Sequence, residues 1–330
     1  MASKRLKSSD IRMEEYKQAQ VALRVYYSGA AYQGFSSQTP QPHTLSGLKM
    51  NTVEDYLFKA IFETRLAVPG ADLNWSRAGR TDAGVSGCGQ VVSAKLRIDN
   101  AKLTSLDEKP IDFCRVLNPR LPEDIRVTGW TIVPDTFDAR FQCKWRQYKY
   151  YFLSQGLDVE KMSKAAEKLL GEHDFRNLSR KDPSKMSESF TRCILKISIE
   201  PVDDQTHVLT IRGSAFLYNQ VRCTMAVLLD IGRGVKPETY IDDLLQVDYT
   251  GPMCGIASPY NLAFETCMYD PPLHFTSCSV SDTMVDRLSR ISALYQMERM
   301  LHASCVLDGD QQSLDTTKTD PDTTVLEGLE

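Results

Sequence analysis

The sequence predicts an α+β protein of two domains. Three observations carry this. Segments of strand period alternate with segments of helical period, and the alternation occurs twice along the chain. The length of 330 residues accommodates two domains. Apolar content of 42% and charged content of 25% are ordinary for a soluble globular chain.

The elements follow in order. Residues 1–19 are polar and charged and predict a mobile basic arm. Val21 to Tyr27 alternates with period two and reads as a strand. Residues 28–48, rich in Gly, Ser, Gln and Pro, read as a long loop. Thr52 caps a helix, with Asp55 three residues on and an apolar stripe of Val53, Leu57, Ala60 and Ile61. A glycine-rich turn and a strand at 89–97 complete a first domain, 20–135. In a second domain, 136–275, residues 143–154 form a strand with Tyr148, Tyr150 and Phe152 on one face. A helix over 159–170 presents Met162, Ala166, Leu169 and Leu170, and Gly171 closes it. Strands at 192–200 and 206–213 precede a helix from about Phe216 to Gly232. A shorter helix at 238–246 and a strand at 262–269 end the domain. Residues 276–305 hold an appended helix, with Met284, Leu288, Ile291, Leu294, Tyr295 and Leu301 at helical spacing. From Val306 the composition is that of a disordered acidic tail.

Charge and cysteine usage bound the function classes. The tail from Val306 holds seven acidic residues and one basic one, and removing its −6 from the total of −4 leaves +2 on the rest. A mildly basic body is compatible with a nucleic-acid partner. There is no apolar run long enough for a membrane span and no apolar leader segment after the basic N-terminus. A cytoplasmic or nuclear protein is expected, with an organellar address left open. Nine cysteines show no Cys-x-x-Cys pair, and five histidines show no His-x-x-x-His pair. Neither a metal site nor a disulfide framework is expected, and reduced thiols fit better.

The chemistry concentrates in the turn Gly79-Arg80-Thr81-Asp82-Ala83-Gly84-Val85-Ser86-Gly87-Cys88-Gly89-Gln90, with four glycines, one arginine and one carboxylate. A lone Asp held in such a turn has the setting of a carboxylate nucleophile, while Asp and Gly also dominate ordinary turns. Arg222 falls among Tyr218, Met225, Ala226 and Leu229 on one predicted helical face. Such an arginine either snorkels to solvent or meets a buried carboxylate, and Asp82 is the candidate, with its pKa then lowered. The strand Trp145-Arg146-Gln147-Tyr148-Lys149-Tyr150-Tyr151 interleaves aromatics with cations, as an RNA-facing strand would. Arg176, Arg180, Lys181 and Lys185 form a basic loop or an ordinary solvated surface.

These segments resemble the TruA-type tRNA pseudouridine synthases. Residues 77–85 (Arg-Ala-Gly-Arg-Thr-Asp-Ala-Gly-Val), followed by Gly89-Gln90, are similar to the family signature. So are Tyr32 to Gln38, Leu117-Asn118-Pro119 to Asp124-Ile125-Arg126-Val127, Phe137 to Phe141, Arg146 to Tyr150, and Phe216 to Arg222. The resemblance covers residues 20–270. Ser86, the segment His173 to Leu178 and Cys223 resemble the eukaryotic branch that modifies uridines 38 and 39. Ala83, where that branch often carries Lys, departs from it.

The resemblance implies two related α/β domains with joined antiparallel sheets and a central active-site cleft. It implies uridine-to-pseudouridine isomerisation in the tRNA anticodon stem-loop, with Asp82 as nucleophile, Tyr148 packing on the target uracil and Arg222 holding Asp82. Substrate contacts are expected from Arg80, Thr81, Gly84, Gln90, Arg146 and Lys149. No cofactor is expected, and tRNA and a second copy of the chain are the implied partners. An RNA-binding protein without catalysis and an Asp-dependent hydrolase are the competing classes. The second usually needs a paired carboxylate, and none stands obviously beside Asp82 in the sequence.

Overall fold

The computed structural model describes residues 13–39, 44–102, 110–181 and 189–277. The expected helix at 281–302 and the tail from Val306 lie outside the described residues, as does Lys185. The chain is a mixed α/β protein built on one large sheet with few helices.

Strand β1 (Tyr16–Tyr27) starts five residues before the expected Val21, because β3 (Ser86–Lys102) is long enough to pair with that extension. The expected boundaries of β5 (Cys143–Leu153), β7 (Thr191–Pro201), β8 (Thr206–Gly213) and β9 (Leu262–Tyr269) agree with the structure to within a residue. Strands β2 (Ser76–Arg77), β4 (Ile125–Val133), β6 (Gly171–Asp174) and β10 (Thr276–Ser277) were not anticipated. The spatial order is β10-β4-β1-β3-β9-β5-β8-β7-β6, with β2 beside β3. Every named pair is antiparallel except β3 with β9, where Ser86 and Gly87 face Ala263 and Phe264 in parallel. That short junction unites the strands of residues 16–133 with those of 143–269.

Helices cover each half of the sheet. Helix α1 (Val53–Glu63) begins at the expected capping box, in which Thr52 and Asp55 each accept the other's backbone N–H. Its stripe of Val53, Leu57, Ala60 and Ile61 is fully buried against Leu23 and Val25 of β1 and Val92 and Ala94 of β3. Helix α2 (Phe113–Leu117) adds Phe113 and Leu117 to this core. On the other half, α3 (Val159–Glu167) and α4 (Gln220–Gly232) pack Met162, Ala166, Val221, Met225, Leu228 and Ile231 with Tyr150, Phe152, Leu209 and Ile211. Helix α5 (Tyr240–Leu244) contributes Ile241 and Leu244.

Helix α4 corrects the sequence reading. Asn219 takes a left-handed backbone (φ 60°), so the helix starts at Gln220 and not at Phe216. Tyr218 therefore lies before the helix and is exposed. Six described cysteines are free thiols, as expected, whereas Cys114 is disulfide-bonded.

Candidate active site

The Asp82 turn is held from several sides before any catalytic side chain is considered. At its start, the buried Gln90 amide grips Gly79, accepting from its N–H at 3.3 Å and donating to its carbonyl at 2.8 Å. In the middle, Thr81 Oγ1 shares a 2.8 Å hydrogen bond with Tyr27 Oη at the end of β1. Phe35 N donates to Thr81 O at 3.1 Å, and Gly84 N donates to Tyr32 O at 3.2 Å. The segment 29–35 thus cradles the turn. Gly84 sits at φ 82°, and an added Cβ would stand 3.0 Å from both Pro259 and Tyr260.

A second carboxylate braces this cradle. Glu54, fully buried at the start of α1, accepts from Ser37 N at 2.9 Å, Trp75 Nε1 at 2.8 Å and Arg77 Nε. It ties the loop after β1 to the strand leading into the turn. Burial pushes its carboxyl pKa up, opposed by Arg77 and the Trp75 bond. An acid in the first turn of a helix reads as a dipole partner, and nothing local in the sequence marks Glu54 as a brace.

Asp82 and Arg222 meet here. Arg222 Nη1 donates to Asp82 Oδ2 at 3.2 Å, with the Arg222 side chain 17% and the Asp82 side chain 25% exposed. Arg222 is itself aimed by Ala257 O, which accepts from Nε at 2.8 Å, and by Asn219 Oδ1, which accepts from Nη1 at 3.0 Å. The pairing alternative for Arg222 is the one observed. The predicted direction of the Asp82 pKa is corrected. Burial raises it above 3.8, and the bond to Arg222 and its charge only oppose that rise.

Tyr148 joins them from β5. Its ring is buried between Phe216 and Phe264, with centroids 5.1 and 5.2 Å away and both pairs edge-on. Its hydroxyl stands 3.7 Å from where a Cβ on Gly79 would be. Burial raises the Tyr148 phenol far above its usual value, and the charge of Asp82 adds to the rise. In the resting protein the phenol keeps its proton.

The remaining predicted site residues divide. Arg80 is exposed in the turn itself. Thr81, Gly84 and Gln90 shape the turn through the bonds above. Arg146 is buried and spends its donors on backbone carbonyls: Ala78 O at 3.0 and 2.9 Å, Ser214 O at 2.7 Å, Cys143 O at 3.2 Å and Arg140 O at 2.5 Å. This geometry makes it a scaffold group and leaves no donor for a substrate. Lys149 follows Tyr148 on the strand and therefore points to the other face, where it pairs with Glu265 at 2.5 Å. That bond raises its pKa. In the basic loop, Arg176 is held by Asp174 at 2.8 Å, and Arg180 donates to Cys254 O. No group of three His, Cys, Asp or Glu poised for a metal occurs among the described residues. Among them, no helix is long and apolar enough to cross a membrane.

Comparison with known proteins gives the same family as the motifs. A family model described as tRNA pseudouridine synthase matches residues 165–270. The tRNA pseudouridine(38/39) synthase of Bos taurus is 34% identical over 321 residues, covering 90% of this chain and 65% of that protein. The Homo sapiens protein of the same name is 36% identical over 274 residues, covering 76% of this chain and 55% of that protein. The chain thus spans between 55% and 65% of the length of these two relatives. The tRNA pseudouridine synthase A of Methanosarcina mazei is 33% identical over 228 residues, covering 69% of this chain and 76% of that protein. With a third of the residues shared over most of the archaeal protein, and with the signature segments gathered around Asp82, the chain belongs to the tRNA pseudouridine synthase family.

Proposed function

We propose that this chain is a tRNA pseudouridine synthase that isomerises uridine 38 or 39, or both, in the anticodon stem-loop, with Asp82 as nucleophile. The observation that carries the reading is the Asp82–Arg222 pair, which brings the signature turn and the α4 arginine together at 3.2 Å. The names of the mammalian relatives support the positions.

In this reading Asp82 bonds to the uridine and is later released, the N1–C1′ bond breaks, the base rotates, C5 bonds to C1′, the C5 proton leaves and N1 takes up a proton. Reactant and product are isomers, so the balance needs no oxidant or reductant. Arg222 aims the Asp82 carboxylate and favours its charged form against burial. Arg80, exposed beside Asp82, holds the target nucleotide out of its stack. Tyr148, locked by Phe216 and Phe264, offers its ring edge and hydroxyl to the flipped uracil. The Asp82 charge helps to hold the Tyr148 phenol up. Once that carboxylate is bonded to substrate the charge is gone, and the Tyr148 hydroxyl relays the C5 proton, passing its own proton to N1 or to water as it takes the new one.

Asp82 comes from the half of residues 16–133, and Tyr148 and Arg222 from the half of residues 143–269. The cleft of a two-domain synthase then lies at the β3–β9 junction. A homodimer with tRNA lying across both copies completes the reading. The test is incubation with unmodified anticodon stem-loop RNA, followed by mapping of pseudouridine. Product at positions 38 or 39 supports the reading, and unreacted RNA at saturating protein contradicts it.

A further inference from the structure

The loop from Pro252 to Asn261 makes both contacts that assemble the site, and it carries Tyr260, whose ring lies on the Asp82 turn and is in part exposed. Ala257 O takes the Arg222 guanidinium at 2.8 Å, and Ala257 N donates to Arg222 O at 3.1 Å. Two residues on, Pro259 and Tyr260 lie against Gly84, where even a methyl group would come within 3.0 Å of each. The loop is anchored behind by Asn261, whose Nδ2 donates to Tyr151 O at 2.9 Å and whose carbonyl accepts from Tyr151 N at 3.0 Å. Tyr260 therefore has a fixed base, while its residue surface is 56% exposed. Met253 and Ile256 of the same loop are exposed too, at 72% and 42%.

We propose that Tyr260 is a stacking platform for an unpaired RNA base flanking the target uridine. This inference rests on the synthase reading above. Gly84 is two residues from Asp82, at most about 7 Å along the chain, which is roughly two stacked nucleotide steps of about 3.4 Å. A nucleotide drawn into the Asp82 turn leaves its neighbour unstacked, and that neighbour needs a new face. Single-stranded RNA bases find such faces on exposed aromatic side chains. Tyr260 packs on the signature turn and keeps more than half of its surface exposed. The tyrosines of the cradle, Tyr27 and Tyr32, are buried. Tyr260 is thus a substrate contact outside the signature segments, supplied by the loop that also aims Arg222.

The test uses the full chain and an anticodon stem-loop RNA carrying 2-aminopurine beside the target uridine. Equilibrium quenching of the probe reports stacking and affinity without requiring turnover, and steady-state kinetics on the unlabelled RNA report KM and kcat. Tyr260→Phe is expected to match the wild type in quenching and KM. Tyr260→Leu, which stays apolar but has no π face, is expected to lose the quenching and to weaken binding and raise KM by roughly 5- to 150-fold, as loss of one base stack predicts, with kcat nearly unchanged. Wild-type quenching and KM in Tyr260→Leu would overturn the proposal, as would equal loss in Tyr260→Phe, which would assign the effect to the hydroxyl. A wild-type protein that quenches the probe but makes no pseudouridine would overturn the synthase reading and leave the stacking inference standing.

Discussion

Asp82 and Arg222, 140 residues apart in the chain, are joined by a 3.2 Å charged hydrogen bond, and the carboxyl pKa is nevertheless raised. Burial outweighs the arginine, so the pair is a balance and not a deep well for the carboxylate. The sign for stability follows. The folded state holds the Asp82 proton more tightly than the unfolded chain, so the ionised carboxylate costs stability at pH above 3.8 and that cost fades as pH falls.

Arg222→Met removes only the influences that lower the Asp82 pKa. The acidic limb of kcat/KM against pH is therefore expected to move to higher pH, with kcat at neutral pH down roughly 100-fold. Circular dichroism should show a folded protein, because α4 keeps its apolar contacts. An unmoved limb would break the link between Arg222 and the charge on Asp82.

Tyr148→Phe keeps the ring between Phe216 and Phe264 and removes only the hydroxyl. Affinity for the anticodon stem-loop is expected to persist, while kcat falls roughly 10²- to 10⁴-fold, the range for loss of a proton-transfer group. Because burial raises the phenol pKa, the wild-type profile should show no alkaline limb from Tyr148 below its ordinary 10.0. A limb below that value that vanishes in Tyr148→Phe would contradict the burial argument.

Arg146 belongs to the scaffold. Arg146→Met leaves the carbonyls of Ala78, Ser214 and Arg140 without their donor. A loss of roughly 3 kcal/mol in unfolding free energy is expected, since buried bonds to a charged group are being broken. Denaturant titration measures this. RNA affinity per folded molecule should hardly change, and a selective loss of affinity would restore Arg146 as an RNA contact.

What the sequence disclosed was local or periodic. The Thr52–Asp55 box lies within four residues, and the strands at 143–153, 206–213 and 262–269 carry their own alternation. Arg222 stood out because a cation on an apolar helical face needs an explanation. The site residues misjudged are those whose partners are distant. Arg146 reads as one cation among aromatics until Ala78 and Ser214, each 68 residues away, are folded against it. Glu54 reads as an ordinary first-turn acid until Trp75 and Arg77 arrive. Lys149 was grouped with Tyr148 although adjacent strand residues point to opposite faces, and Glu265 now occupies it. Asn219 shows the limit of helical periodicity: one left-handed residue shifts the start of α4 and leaves Tyr218 outside it.

Asp82 is expected to perform the chemistry in a site that binds RNA without it. Asp82→Asn is close to isosteric, and Arg222 keeps Ala257 O and Asn219 Oδ1 as partners. The decisive measurement is pseudouridine formation in anticodon stem-loop RNA by Asp82→Asn, with binding of the same RNA measured in parallel. No detectable product is expected, with affinity close to that of the wild type. Product formed at the wild-type rate would contradict this role of Asp82.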